Sequence, residues 1–193
     1  VGLIRCLEQS RDWKALTSVL RYLVGQFHAD GAVLWEVFHQ EGDSLDPQRN
    51  RLLVAGSWFR NSSQPYVVHD LKANECPTGR AILANTPDLC GDVQDTAHAG
   101  RYVQVGDFDL QRLVTSPFSF LDGSRGAISL YRFRGGPPFD KRDKNLLTEL
   151  ATTIPVIYQA IRDRSNHDLI MRVKAELEGN PLPAVGGLMD QAR

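Results

Sequence analysis

Only three cysteines, Cys6, Cys76 and Cys90, occur in 193 residues, and no two stand in a CxxC spacing. An odd number at irregular intervals does not build a disulfide framework, and it fits a reducing, cytoplasmic setting. Charge of one sign is lacking too. With 22 Lys+Arg against 23 Asp+Glu the net charge is −1, so no overall basic field attracts phosphate backbones and no nucleic-acid partner is expected. No apolar run reaches the ~18–20 residues of a membrane span. The five histidines, His28, His39, His69, His98 and His167, form no HxH or HxxxH pair, so no metal is expected. No serine sits on a strand-turn elbow with His and Asp partners, and no catalytic residue is assigned. Prolines number only 10 while 42% of residues are hydrophobic, which argues for a packed core and against wholesale disorder.

The length fits one core with appendages. The start at Val1, with no long apolar stretch in the first ten residues, predicts a segment trimmed from a longer protein. Leu3, Ile4 and Leu7 predict a helical extension over residues 1–10. Trp13, Leu16, Leu20, Leu23, Val24 and Phe27 recur on a 3.6-residue period and predict a helix over residues 11–29, with Ser10 as N-cap. Residues 31–39 and 51–59, rich in β-branched and aromatic side chains, read as a strand pair across a polar connection. An irregular passage, 60–77, follows. Thr78 is placed to cap a short helix over 79–84, ahead of a short strand over 88–93.

After a second loop-rich passage, 94–109, strands over 113–121 and 127–133 meet at the turn Asp122-Gly123-Ser124-Arg125-Gly126. Asp140 opens a long helical pattern in which Leu147, Leu150, Ile154, Ile157 and Ile161 form a heptad seam. Pro155 lies within it and predicts a kink. Beyond Ser165 the stripe resumes with Leu169, Val173 and Leu177, Gly179–Pro183 ends the helix, and 184–193 reads as a loose tail. The order is that of an α+β domain, an antiparallel sheet with helices gathered on one face. Two loops this long are uncommon in a compact domain unless they cover something.

The helix ending in Ala29-Asp30-Gly31-Ala32, the segment from Cys76-Pro77-Thr78-Gly79 through Pro87 to Asp92-Val93, the late strand pair with Ser116, Gly123 and Gly126, and Phe139-Asp140 with Leu146-Leu147 together resemble the GAF domain family of small-molecule sensory modules. The resemblance spans residues 11–162 and leaves 163–193 as linker helix and tail. It implies about six antiparallel strands, first and last helices packed on one face, and a ligand pocket under the long loops on the other. It also implies an output domain or partner, such as a histidine kinase, cyclase or transcription regulator, addressed through the terminal helix.

On that reading Arg80 and Arg101, with Arg112, are candidates to contact an anionic ligand. Against this, 17 of the 22 basic residues are arginine, so most serve as solvated surface. Phe59, Tyr102 and Phe108 at loop margins are the better aromatic pocket candidates, with Trp58 and Phe118 as further ones. Core packing is the default for Phe118, Trp35 and Phe120. Cys90, Asp92, Asp109 and Ser116 complete the candidate set. The ligand, and with it any cofactor, is not identified. Ile157, Ile161, Leu169, Val173 and Leu177 predict a parallel homodimer helix. Two alternatives stand beside the sensor: a ligand-free dimerisation domain, and an enzyme like the free methionine sulfoxide reductases, which would need a reachable thiolate at Cys76 or Cys90.

Overall fold

The computed structural model describes residues 13–38, 50–60, 71–91, 104–105, 108–120, 122–133 and 135–177. Helix α1 (Trp13–Gln26) buries Leu16, Leu20, Leu23 and Val24 of the expected stripe, with Phe27 just past its end and Val19 in addition; the side chain of Trp13 lies outside the described set. It ends because His28 adopts a left-handed φ of 47°, which lets the Ala29 N–H donate to the Val24 carbonyl at 3.0 Å, a Schellman closure. The proposed cap Ser10 and the 1–10 extension lie outside the described residues. Strands β1 (Gly31–Phe38) and β2 (Arg51–Phe59) follow. The expected irregular passage then contains β3 (Leu71–Lys72) and a 3-10 turn (Ala73–Glu75). Next come α2 (Pro77–Ala84), β4 (Asp88–Cys90) and β5 (Gln104–Val105). The late hairpin is β6 (Phe108–Ser119) and β7 (Arg125–Phe133). Helices α3 (Lys141–Ala151) and α4 (Ile154–Leu177) close the described chain.

Six strands pair antiparallel in the order β3-β2-β1-β7-β6-β4, and β5 pairs β6 beside them. This is the α+β sheet expected from the sequence. Strand alternation divides its core into two layers. On one face Ala32, Leu34, Val114, Phe118, Ile128 and Leu130 pack against α1, α3 and α4. On the other, Val33, Trp35, Leu113, Ala127 and Tyr131 pack under α2. No helix among the described residues is long and apolar enough to cross a membrane.

The long terminal pattern is two helices. Asp140 caps α3 with a reciprocal box, its carboxylate accepting from the Arg142 and Asp143 amides while Asp143 accepts from the Asp140 amide. At the far end the Thr152 and Thr153 hydroxyls donate back to the Glu149 and Leu150 carbonyls, at 2.7 and 2.8 Å, and the helix stops. Pro155 therefore sits in the first turn of α4, where its missing N–H has no intrahelical partner to lose, and it kinks nothing. Ile157 and Ile161, expected in a dimer seam, are buried against their own sheet. Their periodicity records docking within the domain. The side chains of Leu169, Val173 and Leu177 lie outside the described set.

Arg132, unremarkable in the sequence, ties the end of α1 to the start of α3. Its guanidinium donates to the carbonyls of Phe27 at 2.7 Å, His28 at 3.4 Å, and Pro137 and Pro138 at 3.0 Å each. It also lies 3.9 Å from the Phe139 ring centroid and 3.7 Å from the Asp143 carboxylate. One cation thus closes the C-terminus of α1, the β7–α3 connection and the cap of α3.

Tyr158 fixes α4 on the sheet. Its ring lies 5.1 Å from that of Phe120, and its hydroxyl donates to Glu36 at 3.3 Å. Burial, with the Glu36 charge beside it, pushes the phenol up from 10.0 to about 12. A group whose pKa is raised by folding favours the folded state while it stays protonated. That contribution is therefore complete below pH 10.0 and lost as pH rises toward about 12. Ultraviolet phenolate titration, with Tyr158→Phe as the subtraction, is expected to show this tyrosine ionising at about 12.

Candidate functional site

The register of the pairings places Phe59, Gly31, Tyr131, Leu113 and Cys90 side by side in one row across β2, β1, β7, β6 and β4. Both long connections of the sequence leave from the ends of this row, one after Arg60 and the other after Gly91. Gly31 makes the row possible, because a Cβ there would stand inside the Phe59 ring. The Phe59 ring stacks on Phe133 at 6.3 Å and tilts against Tyr131 at 6.1 Å. Cys90 and Phe133 are only partly buried, so the shelf opens at this rim among the described residues.

Helix α2 is seated on the neighbouring row by hydroxyls. Thr78 and Ser129 share a hydrogen bond at 3.0 Å, Ser129 and Thr115 another at 2.9 Å, and Thr115 donates to the Ile128 carbonyl at 3.3 Å. All three side chains are buried. Thr78, expected as the N-cap of this helix, instead points at the sheet. The cap is Cys76, whose sulfur accepts from the Gly79 amide at 3.2 Å. Gly79 has no room for a side chain, since a Cβ would strike the Ala73 carbonyl of the 3-10 turn. At its far end α2 closes on Asn85 in a left-handed conformation, φ 52°, with the Thr86 amide donating to the Ala81 carbonyl at 3.1 Å. Removing the Thr78 hydroxyl takes one of two hydroxyl partners from Ser129, which keeps Thr115. Thr78→Val is therefore expected to cost about 0.5–1.5 kcal/mol in urea unfolding, the net value of one hydrogen bond, and Thr78→Ser less.

Of the candidates read from the sequence, Phe59 and Cys90 stand on this shelf. Trp58, Ser116 and Phe118 do not. An extra residue in β2, Ala55, separates Leu34↔Gly56 from Trp35↔Val54, so Trp58 pairs with Ala32 and joins the helix-covered layer. Ser116 and Phe118 share a face with Val114, toward the helices, and Phe118 meets Phe120 edge-on at 4.9 Å. Arg80 is exposed on α2. Arg112 donates to the Gly91 carbonyl, which commits part of its guanidinium to the end of β4. Asp92, Arg101 and Tyr102 lie outside the described residues, as do the side chains of Phe108 and Asp109. Tyr131, Ser129, Thr115 and Phe133 are the residues sequence reasoning missed. Their positions follow from strand register, which no local pattern encodes. No group of three or more His, Cys, Asp or Glu among the described residues is placed to hold a metal ion.

The fold recurs in known proteins. The family profile described as GAF domain matches residues 14–157. No curated protein sequence matches the chain. Among solved structures, the GAF domain of a phosphoenolpyruvate-protein phosphotransferase from Coxiella burnetii superposes with a TM-score of 0.61 at 14% identity, covering 86% of this chain and 95% of that one. That of the Acinetobacter enzyme gives 0.59 at 12%, with the same coverage of 86% and 95%. The free methionine-R-sulfoxide reductase from Neisseria meningitidis, solved with its substrate, gives 0.56 at 17%, covering 83% and 86%. At such identities the likeness is one of fold. The profile spans most of the chain, and with the sheet order and the α2 cover it shows that this chain belongs to the GAF domain family.

Proposed function

We propose that this chain is a regulatory module that holds a small molecule on the shelf of Phe59, Tyr131, Leu113 and Cys90, beside α2, and signals through α4 to an output domain or partner. One observation carries the reading: a row of the sheet that is partly open at Cys90 is also the row from whose ends both long connections depart. Such a site is apolar and aromatic with a few hydroxyls near it, the usual make-up of a small-molecule pocket. Asp92, Arg101, Tyr102, Phe108 and Asp109 remain proposed contacts from the covering segments, and Arg80 a proposed contact from the rim. The ligand biases whichever arrangement of the cover it binds more tightly.

A catalytic role is not proposed. A reactive thiolate must be reachable; the Cys76 sulfur is fully buried as a helix cap, and the partly exposed Cys90 is the one thiol among the described residues on which such a role would rest. Reduction of free methionine sulfoxide by the intact protein is the outcome that would reverse this. A homodimer is proposed through α4, where Val156 and Met171 are 58% and 52% exposed and where the sequence offers Leu169, Val173 and Leu177. The proposed setting is cytoplasmic.

Thermal denaturation against a panel of nucleotides, amino acids, organic acids and tetrapyrroles tests the site. A ligand at 100 times its dissociation constant adds about 2.7 kcal/mol of stability. Cys90→Trp fills the rim and is expected to abolish that gain. A gain that survives Cys90→Trp would place the ligand elsewhere.

A further inference from the structure

On the helix-covered face a small polar cluster joins α4 to two separate parts of the sheet. The Arg162 guanidinium, on α4, donates to Asp122 in the β6–β7 turn at 3.1 Å and lies 3.8 Å from the Glu36 carboxylate on β1. Tyr158, one turn earlier on α4, donates to the same Glu36 at 3.3 Å. Asp122 is held ready for its partner, because the Ser124 hydroxyl and amide both donate to its other oxygen, at 2.6 and 3.0 Å. Those bonds, with Arg162, hold its carboxyl at about 2, well below the usual carboxylate range. The two attachments are therefore unequal. The turn grips Arg162 directly, whereas β1 holds it by a looser ion pair.

The looser attachment is on the strand that carries the candidate shelf. β1 runs from Gly31 at the shelf through Trp35, buried under α2, to Glu36, whose side chain points through the opposite face to α4. A backbone shift of this strand moves Trp35 and Glu36 together. We propose that Glu36, Tyr158, Arg162 and Asp122 form a latch that holds α4 on the sheet, with the Glu36 contacts as the releasable half through which β1 alters the freedom of α4. This rests on the sensor reading for the direction of signalling. The latch itself exists or fails without any ligand.

Hydrogen–deuterium exchange of the full chain, with no ligand added, tests it. Glu36→Gln and Arg162→Met are each expected to speed exchange of α4 amides about two- to fivefold, leaving β1, β6 and β7 unchanged. The double variant should fall short of the sum of the two, because both remove the Glu36–Arg162 pair, while Arg162→Met alone also removes the Asp122 contact. Arg162→Lys, which keeps the charge, should restore part of the protection. Unchanged α4 exchange in both single variants overturns the latch. So does an equal rise across the sheet, which would mark a merely structural residue, or full additivity of the two changes. A latch that holds while no metabolite stabilises the protein would leave this result standing and count against the sensor reading alone.

Discussion

Arg132→Met is expected to destabilise the domain by about 3–5 kcal/mol, a large share of the ~5–15 kcal/mol that holds a domain of this size together. The reason is what the substitution leaves behind. Four carbonyls, of Phe27, His28, Pro137 and Pro138, accept from this one guanidinium, which is only 7% exposed. The Phe27 bond is buried and the other three are only partly so, so the orphaned Phe27 carbonyl costs roughly 1–3 kcal/mol and each of the others adds less. The contact with the Phe139 ring, worth about 0.5–2 kcal/mol, is the smaller part. Lysine keeps the charge but has no planar fork, so Arg132→Lys is expected to recover less than half of the loss. Urea unfolding checks both, with an unchanged denaturant slope showing that the loss is one of stability. A drop below ~1 kcal/mol for Arg132→Met would mean that solvent satisfies these carbonyls and that Arg132 is no tie between α1 and α3.

Gly79→Val is expected to do comparable damage by a different route, about 3 kcal/mol or more. The Cβ position collides with backbone, the Ala73 carbonyl, which cannot rotate away as a side chain end can. Either the 3-10 turn moves or α2 lifts from the sheet. Lifting α2 also parts Thr78 from Ser129, so any ligand stabilisation should vanish along with the fold stability. Gly91→Ala is the matched control, since its Cβ would meet nothing within 4 Å. Equal stability of Gly79→Val and Gly91→Ala would contradict the close seating of α2.

Much of the fold was legible because its signals are local. The stripe from Leu16 to Phe27, the alternation of β1, and the Asp140 cap each follow from a few neighbouring residues. The site was less so. Phe59 and Trp58 are adjacent, and only the extra residue at Ala55 decides which of them turns toward α2. Phe118 alternates as any strand aromatic does, and nothing local tells which face carries the helices. Arg132 is one arginine among many, and its partners at Phe27 and His28 lie more than a hundred residues away. Pro155 was misread because the two threonine hydroxyls that end α3 before it compete with the helix only weakly in sequence terms. Ile157 and Ile161 fit a dimer seam and a docking face equally well until the sheet is in place.

The most direct test of the central claim, that the Phe59–Cys90 shelf holds a small molecule, is native mass spectrometry of the purified chain beside its denatured mass. The predicted result is a native excess of one small molecule per protomer in the wild-type protein that disappears in Cys90→Trp. A wild-type protein that carries no excess mass, or an excess that Cys90→Trp retains, would contradict it.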